Sequence, residues 1–118
     1  MIISDIRTFV PSIDFETSRQ FYLDLGFGIT YEDEELTQFG TKDHGFFLQH
    51  AYVKEWAENL MLTMYVDDLD SLHAIAGKLV KVYKNTKAGV IFNAHYGRTF
   101  HLIAPAGELW HMCEKKTK

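Results

Sequence analysis

Residues 13–27 read IDFETSRQFYLDLGF, and the fold turns on how this stretch is read. Asp14 stands where a helix N-cap is wanted, with Thr17 and Ser18 in the first turns. Phe15, Phe21, Tyr22 and Leu25 then form an apolar stripe, and Gly26 ends the run. Upstream, MIISDIRTFVP (1–11) is β-branched and aromatic and closes on Pro11, which predicts a strand over about residues 2–10.

Downstream, FGITYEDE (27–34) and LTQFGTK (36–42) read as a hairpin and HGFFLQHAY (44–52) as a further strand. VKEWAENL (53–60) is a short helix or a loop. LMLTMYV (60–66) is a strand. DDLDSLHAIAGKL (67–79) is a second helix, capped by Asp67 or Asp68, with Leu69, Leu72, Ile75, Ala76 and Leu79 facing inward. Residues 80–97 give no firm signal. RTFHLIAPAGELWHMCE (98–114) is a hairpin turning at Pro105–Gly107.

The order strand, helix, three strands therefore occurs twice. Asp14 matches Asp68 at an offset of 54 residues, and Gly45 matches Gly107 at an offset of 62, so the second copy carries extra residues between its helix and its last strand. The chain reads as one α+β domain, with a first module over about 1–58 and a second over about 59–118. Each module alone has too little core to stand by itself, so the two are expected to pack together.

The 16 acidic side chains outnumber the 12 basic ones, which argues against nucleic acid, whose phosphates need a concentrated positive surface. Lys115, Lys116 and Lys118 read as a solvated tail. Cys113 is the single cysteine, so no intrachain disulfide forms and a reducing compartment is expected. The first residues lack the pattern of an export signal. No apolar run approaches the ~18 residues of a spanning helix. These features predict a cytoplasmic protein that binds neither membrane nor nucleic acid.

Three of these motifs, taken in order, resemble the vicinal oxygen chelate superfamily. IDFETSRQFYLDLGF is similar to its first-helix signature, VDDLDSL (66–72) to the opening of its second module, and APAGELWHM (104–112) to its closing hairpin. The resemblance spans essentially the whole chain. It implies two βαβββ modules forming an incomplete barrel around a cleft, often completed across a dimer, so a homodimer is expected. The superfamily includes glyoxalases, extradiol dioxygenases, fosfomycin-resistance enzymes and metal-free bleomycin-binding proteins.

Metal-dependent members hold their ion from the first and last strands of each module. Carried over by position, that quartet becomes Arg7, Gln49, Met61 and His111. A divalent catalytic ion needs about three suitable protein donors. His111 qualifies and Gln49 offers an amide oxygen. Met61 is a poor ligand, and Arg7 has no lone pair to give. The expectation is that the protein holds no metal and no cofactor at these corners. A two-histidine alternative stays open if strand register places His101 opposite His111. His44 and His50 are too far apart along one strand to chelate, and His73 is expected at the surface.

Without a metal, the same positions can line a ligand cavity. Strand alternation groups Arg7 with Asp5 and Phe9, Gln49 with Phe47, Met61 with Thr63 and Tyr65, and His111 with Leu109 and Cys113. Trp56 is either a stacking platform for a flat ligand or the packing anchor of a short helix. Trp110 points away from His111, into the core or an interface. The expected ligand-binding set is Arg7, Phe47, Gln49, Trp56, Met61 and His111, with no catalytic residue. Its expected ligand is a small, partly aromatic molecule, taken up as in the bleomycin-resistance-like branch. Two other readings stand beside it. One is a metal-dependent glyoxalase-like lyase, isomerase or dioxygenase. The other is a barrel plugged by its own side chains, with Arg7 paired to Asp5, Asp14 or Glu114 and Gln49 bonded to His111.

Overall fold

A computed structural model describes residues 1–115; Lys116 and Lys118 of the basic tail lie outside them. In chain order the elements are β1 (Phe9–Val10), α1 (Phe15–Leu25), β2 (Ile29–Glu32), β3 (Leu36–Gly40), β4 (Gly45–Gln49) and α2 (Lys54–Ala57). The second half adds β5 (Met61–Val66), α3 (Leu69–Leu79), β6 (Lys87–Ala88), β7 (Phe92–Ala94), β8 (Gly97–Ile103) and β9 (Leu109–Glu114). Both long helices begin as the sequence predicts. Asp14 accepts the Thr17 N–H and Asp68 accepts that of Ser71. Gly26 closes α1 at φ 121°, a left-handed backbone that a side chain would strain.

The repeat is visible in the sheets. The first is ordered β1-β4-β3-β2 and the second β5-β9-β8-β6, with β7 also paired to β8. In each, the strand before the helix runs parallel to the last strand, and the remaining pairings are antiparallel. Strands β6 and β7 occupy the region that gave no firm sequence signal.

Each sheet turns one face inward. Val10, Phe39, Phe46 and Leu48 from the first and Phe100, Leu102, Trp110 and Met112 from the second join α1 and α3 in one buried cluster. The ring centres of Phe46 and Trp110 lie 5.2 Å apart, so the inner faces touch across the module boundary. The opposite faces of both sheets point outward. No barrel closes within the chain.

Several sequence expectations need correction. Only Phe9 and Val10 of the first predicted strand are paired. Ile2, Ile3 and Ile6 are exposed, because no strand of the same chain lies alongside them. Ile75 is exposed rather than inward, while Leu69 and Ala76 carry the buried face of α3. His73 is half-buried rather than at the surface, its Nε2 2.9 Å from the Gly89 carbonyl oxygen. Among the described residues, no helix is long and apolar enough to cross a membrane.

One polar joint lies inside the core. The Tyr22 hydroxyl donates to Glu108 Oε2 at 2.8 Å and accepts from Trp110 Nε1 at 3.0 Å. The Ala106 N–H donates to the other carboxyl oxygen at 3.0 Å. Glu108 is fully buried, and desolvation pushes its pKa above the usual glutamate value. Replacing Tyr22 by Phe strands two buried polar groups, and urea denaturation is expected to show a loss of about 1–3 kcal/mol. Because the folded-state pKa of Glu108 is raised, its contribution is intact below the ordinary glutamate range and is lost as pH rises through the folded value. Glu108→Gln, with no charge to bury, should therefore gain on the wild type as pH rises, read from paired denaturation curves.

Candidate functional site

The outward faces carry the residues singled out in the sequence. On the first sheet, Phe9 packs on Phe47 with ring centres 5.0 Å apart, and Gln49 follows Phe47 on the same side. The Arg7 side chain is only 7% exposed. Its Nε donates to Asp5 at 2.6 Å and its Nη2 to the Lys42 carbonyl at 3.1 Å. Nη1 is buried with no partner. It passes over Gly45, where an added Cβ would come within 2.5 Å of Nη1 and would overlap the Phe39 carbonyl. Both N–H groups of Arg7 Nη1 are thus unspent, held over a glycine that leaves them room.

On the second sheet, Met61, Thr63 and Tyr65 alternate outward along β5 and are exposed, and His111 follows Leu109 on β9. Residue 111 faces Thr63 on one side and His101 on the other. The register that the sequence left open is therefore 101 opposite 111. The two imidazoles meet edge to face, ring centres 4.7 Å apart and planes at 85°. Phe92 caps the pair with its ring 5.3 Å from that of His101. Burial, and then the neighbouring charge of His101, hold the His111 pKa below the usual histidine value, so that ring is neutral near pH 7.

Within one chain the quartet divides in two. Gln49 and, just ahead of β1, Arg7 belong with the first sheet, and Met61 and His111 with the second. The parallel registers also differ. Phe9 pairs with Phe47 and Met61 with Leu109, and Phe47 is the repeat counterpart of Leu109. By sheet position Phe9, not Arg7, therefore corresponds to Met61; counting back from the helix caps missed this because the links from strand to cap differ between modules. Arg7 pairs with Asp5, as the plugged-barrel reading has it, whereas Glu114 is taken by Arg98 at 3.0 Å. Gln49 and His111 make no hydrogen bond to each other.

Trp56 is 76% exposed, and Ala57 is the buried residue of α2, so Trp56 anchors nothing in the chain's own core. Trp110 is core, as its strand parity implied. Cys113 is a buried free thiol, 3.5 Å from the Thr99 hydroxyl.

Sequence reasoning missed a cavity of about 880 Å³ that opens between the halves beside the β5 edge. Phe27, Phe46 and Trp110 give it an aromatic wall, while Thr63, Tyr65 and His44 line its rim. The cluster of Gly26, Gly28, Gly40 and Gly45 was its one legible trace, since glycines let a groove run close to the backbone.

A metal is implied only by the metal-dependent relatives of such a fold. The donors here do not fit one: the corners hold a guanidinium, an amide and a thioether beside a single imidazole. Among the described residues, no three His, Cys, Asp or Glu side chains converge.

No family model and no curated protein matches the sequence. Solved structures do match. An antibiotic-binding protein from Streptomyces sp. CB03234 superposes with a TM-score of 0.79 at 21% identity, over 98% of this chain and 99% of that one. A bleomycin-binding protein complexed with bleomycin gives 0.77 at 18%, over 97% and 100%. The chain shares its fold with these two proteins. A lactoylglutathione lyase from Agrobacterium tumefaciens shares it at a TM-score of 0.68 and 14% identity, over 95% and 94%. The fold is thus shared by proteins described as binders and by one described as an enzyme, and the side chains of the site must separate them.

Gly45→Ala is expected to cost about 1–3 kcal/mol by thermal or urea unfolding, since the new methyl meets backbone on one side and the held guanidinium on the other.

Proposed function

We propose that the protein sequesters a small, partly aromatic molecule in a cleft that two chains build together, with no metal at the four corners. One observation carries the reading. The outward faces are half-exposed and aromatic, carry a few aimed polar groups, and offer a donor set that cannot hold a catalytic ion. Neighbours described as bleomycin-binding and antibiotic-binding support it at the level of fold.

In this reading Arg7, Phe47 and Gln49 come from one chain and Met61 and His111 from its partner. Arg7 gives an unspent N–H to an acceptor on the guest, Gln49 an amide, and His111 a neutral imidazole. Trp56 stands at the rim as a stacking surface. Two features support assembly from two chains. Strand β5 is an edge whose outer backbone groups lack a strand partner, and residues 1–6 present Ile2, Ile3 and Ile6 to solvent. The cavity beside β5 is the place where the first residues of a second copy would lie. The unbridged thiol of Cys113 suits a reducing, cytoplasmic setting.

Sedimentation should show a dimer, and Ile3→Asp combined with Ile6→Asp should shift it to monomer. A thermal-shift screen of aromatic and cationic compounds should find stabilisers that act equally well on chelator-treated protein. Nickel, zinc, manganese or iron that co-purifies stoichiometrically and is lost in His111→Ala, Gln49→Ala and Met61→Ala alike, but kept in His101→Ala, would overturn the reading in favour of a metal lyase or dioxygenase.

A further inference from the structure

The imidazole pair has more capacity than contact with an organic guest requires. His101 and His111 sit directly opposite on adjacent antiparallel strands, both half-buried on the outward face. Neither ring is hydrogen-bonded to any described residue, so both keep a lone pair free when neutral. A divalent ion bound by two imidazole nitrogens at about 2.0–2.1 Å each places the ring centres roughly 4.5–5.2 Å apart for bond angles between square and tetrahedral. The observed separation is 4.7 Å. Chelation requires one nitrogen of each ring to turn toward a common point. The backbone need not move, because the strand pairing already fixes the spacing.

We infer that His101 and His111 form an exchangeable two-imidazole site for a divalent transition cation, copper(II) above all. Its remaining coordination positions face the open side of the sheet. Residue 101 is not one of the four corners, so this donor set shares only His111 with the quartet rejected above. Two protein donors fall short of the three that a catalytic centre keeps. They suffice for a chelate that solvent, or a nitrogen or oxygen donor on a bound molecule, completes. Phe92 shields one side of the pair and Thr63 flanks the other, while exposed Met61 and Tyr65 lie along β5 on the same face. No carboxylate takes part, so the site favours ions that imidazole binds well and discriminates against magnesium and calcium.

The test is titration of chelator-treated full-length protein with copper(II), nickel(II), zinc(II) and magnesium(II), followed by calorimetry and, for copper, electron paramagnetic resonance. One copper per chain is expected, with affinity falling from copper to nickel or zinc and no response to magnesium. The copper spectrum should carry the signature of two imidazole nitrogens. Affinity should fall as pH is lowered through the imidazole range, because the ligands must be deprotonated. His101→Ala and His111→Gln should each weaken copper by about tenfold or more and leave at most one nitrogen of the pair in the spectrum. His95→Ala should change neither. Melting curves of the metal-free variants check that they are folded, which the half-exposed positions of both rings lead us to expect. Copper affinity and spectrum unchanged in His101→Ala, or an equal loss in His95→Ala, would overturn the assignment. Guest binding by chelator-treated protein reports on the proposed function alone, so the two ideas fail independently.

Discussion

Tyr22 reaches from α1 in the first half to Glu108 and Trp110 in the second, and it completes the hydrogen bonding of both. A buried carboxyl is costly to leave without partners, and so is an indole N–H, so the two halves are held in one relative position. That position puts Phe46 on Trp110 and packs α1 against α3. Tyr83 adds to it, its ring 5.2 Å from that of Phe21 and its hydroxyl 2.6 Å from Asp24 Oδ2. The consequence for function is geometric. With the inner faces packed together, the outer face of each sheet is left free of the chain's own core.

The two outer faces differ in chemistry. The first is cationic and amide-bearing, with a guanidinium held over Gly45 and neutralised on one side by Asp5. The second is imidazole-bearing, with a thioether and a phenol beside it. The two imidazoles lie together on neighbouring strands of one half, and the guanidinium and amide lie in the other.

Much of this was legible in the chain. The cap at Asp14, the stripe ending in Leu25 and the matching cap at Asp68 gave both helices, because these signals are local and depend on backbone groups a few residues away. Strand parity placed His111 outward and Trp110 inward for the same reason. The Tyr22–Glu108–Trp110 joint was not legible, since its partners lie 86 and 88 residues apart and nothing in a tyrosine's neighbours reports what its hydroxyl will meet. Ile75 failed because a helical stripe wider than the surface it packs on leaves its edge residue exposed.

Sequence by itself determined both long helices, most of the longer strands, the twofold repeat and the side of its strand that Gln49, Met61, Trp110 and His111 each occupy, all consequences of period and local capping. Tertiary structure alone decided three things. It fixed the register that sets His101 against His111, the two-residue shift that puts Phe9 in Met61's place, and the separation of Arg7 and Gln49 from Met61 and His111. Strand register and module packing depend on contacts between residues far apart in the chain, and periodicity, which repeats every two or four residues, cannot tell one such alignment from the next.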